Sequence, residues 1–192
     1  YPVADFLAGD RIGAGTEIGP LYPAGAEEAR LVWEREDSSS VLSRATPPRE
    51  GTVPSYLRFD TAGTSSYGSG QDYDGEFTYT TGARNATLVN NTWKRLDFEY
   101  DVTDQTVLEF DFRSTQEGEI HGIGFETDDS ISSDRVFQLF GNQSWGIEYE
   151  DYESDDGWVH YEIPVGELYG PPQYGQAEYL ALVNDIDDTD IT

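Results

Sequence analysis

Side-chain character alternates with a period near two along five stretches of this chain: Trp93–Tyr100, Val107–Phe112, Glu119–Glu126, Arg135–Phe140 and Trp158–Val165. Each is bounded by Gly, Asp, Ser or Pro, the residues that end strands. In the second run Leu108, Phe110 and Phe112 share one face, with Val107, Glu109 and Asp111 on the other. In the fifth, Val159, Tyr161 and Ile163 oppose Trp158, His160 and Glu162. Half-buried antiparallel strands have this signature, and no segment of comparable quality repeats at the helical period. The pattern predicts an all-β, antiparallel sandwich with those six apolar side chains in its interior. Shorter strands are expected at Tyr56–Phe59, Glu76–Thr80, Ala86–Asn90 and Tyr179–Val183.

The texture changes at the two ends. Residues 1–55 carry Gly9, Gly13, Gly15 and Gly19 early and Pro47, Pro48 and Pro54 late. They are set apart as an irregular N-terminal segment, an extension or part of a preceding domain, with residues 56–192 as the sandwich module. Within it Ala24–Glu36 reads as a helix, while Ala29–Arg35 reads equally as a strand; Asp37–Pro54 reads as a linker. Gly13 and Gly15 lack the following helix and lysine of a phosphate loop. Thr61–Gly75 and Trp145–Asp156 are expected to be surface loops. The terminal stretch Asn184–Thr192 carries no closing strand, which predicts an exposed sheet edge.

Charge narrows the partners. Thirty-eight acidic side chains face 11 basic ones, for a net charge of −27, and Lys94 is the single lysine. Such a surface repels nucleic acid and anionic membranes. It suits either a set of hard-cation ligands or a halophilic protein working where salt screens the self-repulsion. There is no cysteine, hence no disulfide or thiolate chemistry. No apolar run reaches membrane-spanning length, and Tyr1-Pro2-Val3 reads as a mature or trimmed start. Three sequons, at Asn85, Asn90 and Asn142, are compatible with an exported glycoprotein.

Several longer motifs occur in a fixed order: Asn91-Thr92-Trp93-Lys94, Thr106–Phe112, Gly118–Gly124, Trp145-Gly146-Ile147, Val159–Gly166 and Leu182-Val183-Asn184-Asp185. On these the chain resembles non-catalytic β-sandwich modules of carbohydrate-binding type, found in large secreted proteins of marine and environmental prokaryotes. The resemblance covers roughly residues 56–188 and not 1–55. It implies a jelly-roll-like fold and glycan binding in the extracellular space. Such modules usually continue past the Asn-Asp motif into a final strand. Here that strand is absent, or is replaced by residues 1–55 or by another chain.

Three groups are candidates for chemistry. Trp145, Tyr149, Tyr152 and Trp158 are expected to stack on sugar rings, with Gln143, Glu148 and His160 orienting hydroxyls. Glu126, Asp128, Asp185 and Asp187, with Asn184, Asp129 and Asp188 nearby, are expected to supply oxygen ligands to a structural calcium ion. Glu119 and His121 alternate onto one strand face, a base-and-orienter arrangement, against which stands a buried, hydrogen-bonded histidine. The chain also lacks the paired carboxylates of a sandwich glycosidase. The reading that results is a polysaccharide-binding module with no catalysis. Its alternative is a structural or adhesive subunit of a surface filament or scaffold, a homo-oligomer or neighbour-bound domain assembling through an open sheet edge.

Overall fold

The structure, a computed structural model, describes residues 16–23 (as backbone), 57–68, 70–80, 84–154 and 156–186. Among these, eleven strands form two packed sheets, and the fold is an all-β, jelly-roll-like sandwich. The strands are β1 (Thr16–Pro23), β2 (Thr64–Ser66), β3 (Glu76–Tyr79), β4 (Ala86–Val89), β5 (Thr92–Val102) and β6 (Leu108–Ser114). They continue as β7 (Ile120–Glu126), β8 (Val136–Phe140), β9 (Ile147–Glu148), β10 (Val159–Ile163) and β11 (Gly175–Asp185). One sheet runs β10-β6-β1-β4-β3 and the other β2-β5-β11-β7-β8-β9. All pairs are antiparallel except β8 with β9.

The predicted interior is where the alternation put it. Leu108, Phe110, Phe112, Tyr161 and Ile163 are buried, and Val159 is half-buried against the same core. Phe110 stacks on Tyr161 with ring centroids 5.3 Å apart, across directly paired positions of β6 and β10. From the opposite sheet come Leu96, Ile123, Phe125, Phe137, Leu139, Leu180 and Leu182. The chain changes sheet between β4 and β5 at Asn90, whose φ of 57° is one that asparagine tolerates better than most residues.

The six-stranded sheet also buries its outer face, which period-two alternation does not signal. Trp93, Ile120, Val136, Ala181 and Val183 form a second apolar cluster there with Tyr67, and Trp145 packs against it. This is why every residue of β7 and β8 is buried.

The expected strand Tyr56–Phe59 is not found, since its described residues 57–59 carry no strand. The expected loop Thr61–Gly75 contains β2 and the fully buried Tyr67. Two further expectations need correction. The open edge attributed to a missing last strand is not found. Strand β11 lies inside its sheet, paired with β5 on one side and β7 on the other. In the other sheet β1 sits between β6 and β4, pairing Thr16 with Ser114 and Pro23 with Leu108 on one side and Thr16 with Leu88 on the other. Eight residues of the N-terminal stretch thus belong to the sandwich. The sheet edges among the described residues are β10, β3, β2 and β9, and the last three have 4, 3 and 2 residues. Edges that short offer little ladder to a foreign strand. The second correction concerns Trp145–Asp156, which is not a simple surface loop. It contains β9, and its Tyr152 is only 5 % exposed. The alternatives for Ala24–Glu36, the linker Asp37–Pro54 and the Gly13–Gly15 loop lie outside the described residues.

Candidate functional site

The expected sugar platform divides into two parts on different sheets. Trp145 is half-buried and meets Trp93 edge-on at 5.3 Å, its backbone N–H donating to Gln138 Oε1 at 2.9 Å. Tyr149 is half-buried between Phe137 and Tyr161. Tyr152 is a core residue. Its hydroxyl donates to the carbonyls of Ser114 and Gly157 and accepts from the Ser114 N–H, each at 3.0 Å. A buried phenol so satisfied presents no face to a ligand, and Tyr152 leaves the platform. Gln143 and Glu148 are exposed on the β8–β9 side, next to these packed rings.

Trp158 and His160 lie elsewhere, on the outer face of the five-stranded sheet, where β10 pairs with β6. Strand period sends Trp158, His160 and Glu162 outward from β10, and Glu109, Asp111 and Arg113 outward from β6. Register sets His160 opposite Asp111 and Glu162 opposite Glu109. His160 Nδ1 lies 2.8 Å from Asp111 Oδ1, and Nε2 lies 3.4 Å from Glu109 Oε1 and 3.8 Å from Glu162 Oε1. Hydrogen bonding to Asp111 and then Glu109 outweighs partial burial and pushes the imidazole up to about 10. The ring is therefore a cation at neutral pH and cannot act as a general base. One step along the strands, the Arg113 guanidinium lies over the Trp158 ring at 5.0 Å. The result is a row of aromatic, cation and carboxylates on one sheet face. Of this row, Glu109 and Asp111 were visible in the sequence only as the polar side of an amphipathic strand, and Arg113 lay beyond the run Val107–Phe112. The missing information was which strand pairs with which.

The described acids assigned to calcium, Glu126, Asp128 and Asp185, are not brought together in one cluster. Glu126 pairs with Tyr179 and Asp185 with Ile120, so the two lie at opposite ends of β7, about 20 Å apart at the usual strand rise. Asp128 is exposed and accepts from the Ser130 N–H at 2.6 Å, while Asp187 and Asp188 fall outside the described residues. Glu126 is instead fully buried. Its Oε1 accepts from the Tyr67 hydroxyl, and its Oε2 has no partner among the described residues. Burial pushes this carboxyl up to about 7. A raised carboxyl pKa favours folding fully below the unfolded value near 4.5, and that contribution is lost as pH rises through about 7. Glu126→Gln is therefore expected to match the parent near pH 4. By pH 8 it should exceed it by about 2–3 kcal/mol. Denaturant titrations across that range measure the difference, and a pH-independent gap refutes the account.

His121 is buried, with its ring between Phe112 and Phe140 and its Nε2 accepting the Gly118 N–H at 2.9 Å. Burial lowers it to about 4, so it is a neutral core histidine with its acceptor nitrogen occupied. Of the sequon asparagines, Asn142 is exposed and Asn85 and Asn90 are half-buried. No described helix is long and apolar enough to cross a membrane. The chain matches no family model, no curated protein and no solved structure.

Proposed function

We propose that this protein is a non-catalytic extracellular module that binds polysaccharide across the outer face of β10 and β6. The observation that carries this reading is Trp158. It is a half-buried indole with the Arg113 guanidinium over its ring, followed along the strand by the His160 carboxylate network. An aromatic ring beside several hydrogen-bonding groups on a sheet face suits a hydroxyl-rich ring, whose C–H face stacks while its hydroxyls pair. A net charge of −27 favours neutral polysaccharides over uronates or sulfated chains. Trp158→Ala is expected to weaken binding of a soluble neutral polysaccharide about tenfold, the loss of a stacking contact of about 1–1.5 kcal/mol. Affinity electrophoresis over a glycan panel, in low and high salt, is the test. The reading fails if no glycan binds or if the variant binds as the parent does.

A second reading, a structural or adhesive subunit, draws support from β1. The slot between β6 and β4 offers the same backbone ladder to β1 of another copy as to that of its own chain. Light scattering separates the two: concentration-dependent assemblies favour the subunit, and a monomer at every concentration removes it.

A further inference from the structure

Glu162 and Glu109 are direct cross-strand partners, and like charges so placed destabilise a sheet unless a cation lies between them. Diagonally between them is His160, its Nδ1 held at 2.8 Å by Asp111. Its Nε2 faces both glutamates, 3.4 Å from Glu109 Oε1 and 3.8 Å from Glu162 Oε1. One ligand atom each from Glu109, His160 and Glu162 lies within 4.8 Å of the others.

We propose that Glu109, His160 and Glu162 form a binding site for a first-row divalent cation of the zinc type, with Asp111 orienting the imidazole. Three features of the chemistry choose this class. A tetrahedral ion with bonds of about 2.0–2.1 Å needs donors about 3.3 Å apart. The Nε2–Oε1 separations of 3.4 and 3.8 Å require only small rotations of the glutamate side chains. An imidazole with two carboxylates is a mixed nitrogen–oxygen set, whereas calcium takes six to eight oxygens. A carboxylate on the distal ring nitrogen is the arrangement that fixes tautomer and raises ligand basicity at histidine metal sites. The donors stand on two paired strands, so their spacing is set by the ladder and not by a loop. The remaining coordination positions face solvent, since His160 and Glu162 are both largely exposed.

The exchange is balanced: the ion takes the Nε2 lone pair, and the proton that Nε2 carried leaves to solvent. The charged groups facing that ring among the described residues are Glu109 and Asp111 from β6 and Glu162 from its own strand. The site does not depend on glycan binding and is tested without any sugar. Isothermal titration of the intact chain with ZnCl2, repeated with CaCl2, is the experiment. The expected result is one zinc equivalent, bound at least tenfold more tightly than calcium. His160→Ala and Glu109→Gln should each lower that affinity at least tenfold. Asp111→Asn should lower it about ten- to a hundredfold, and exposed Glu178→Gln in the other sheet should leave it unchanged. Absence of zinc uptake, equal uptake of calcium, or binding that survives in His160→Ala overturns the site. All four positions are on the outer sheet surface, and circular dichroism confirms that each variant remains folded.

Discussion

Phe112→Ala is expected to lower the unfolding free energy by about 3–5 kcal/mol. The ring is fully buried and meets three others: Tyr152 edge-on at 4.9 Å, Tyr161 at 6.1 Å and His121 at 6.4 Å. Truncation removes the transfer free energy of the ring and leaves a cavity that two paired sheets cannot close. It also loosens the wall against which Tyr152 holds three hydrogen bonds to β6 and Gly157. Against a total of about 5–15 kcal/mol for a domain, this is a large share. Denaturant unfolding with fluorescence and far-UV dichroism measures it, and a loss below about 1 kcal/mol shows that the two sheets do not share this interior.

Gly124→Ala is expected to be at least as damaging as about 3 kcal/mol, for a different reason. A Cβ built on Gly124 falls 1.9 Å from the Arg135 carbonyl oxygen and 2.8 Å from the Val136 Cα. Both are backbone atoms of the approach to β8, and Gly124 is paired with Val136. No side-chain rotation relieves that clash, so β7 and β8 must separate and give up ladder hydrogen bonds. Gly170→Ala is the control, because its new Cβ meets first only the flexible end of Gln173, at 3.3 Å. The same unfolding measurement, with loss of soluble expression as the extreme outcome, distinguishes them. Equal stability of the two variants refutes the close approach.

The contrast between the two sheets explains how far the sequence could be read. β6 and β10 each bury one face, so period-two alternation identified Leu108, Phe110, Phe112, Tyr161 and Ile163 directly. β7 and β8 are buried on both faces, so the alternation read along them marks no solvent-facing side. Tyr152 was misjudged as a surface ring, and Trp145 and Tyr149 are half-buried rather than left open in a loop. Their local surroundings are acidic and Gly-containing, but distant Trp93, Phe137 and Phe112 supply the apolar contacts. Glu126 and Asp185 looked like ligands of one ion because strand-end acids often converge, yet register sends them to opposite ends. The β10–β6 face was half legible: Trp158 and His160 could be named, whereas Asp111 and Glu109 became partners of His160 only through pairing between positions 49 and 51 apart.

The seat of β1 has a kinetic consequence. Its ladder joins Thr16 to Ser114 and Pro23 to Leu108, residues separated by about half of the polypeptide. Loop-closure entropy makes such non-local pairing slow, on the order of milliseconds to seconds in β-rich domains. Until it occurs, β6 with β10 and β4 with β3 are two separate ribbons, each with a bare backbone flank. The interval before that flank is covered is when the nascent chain is most open to mispairing with its neighbours.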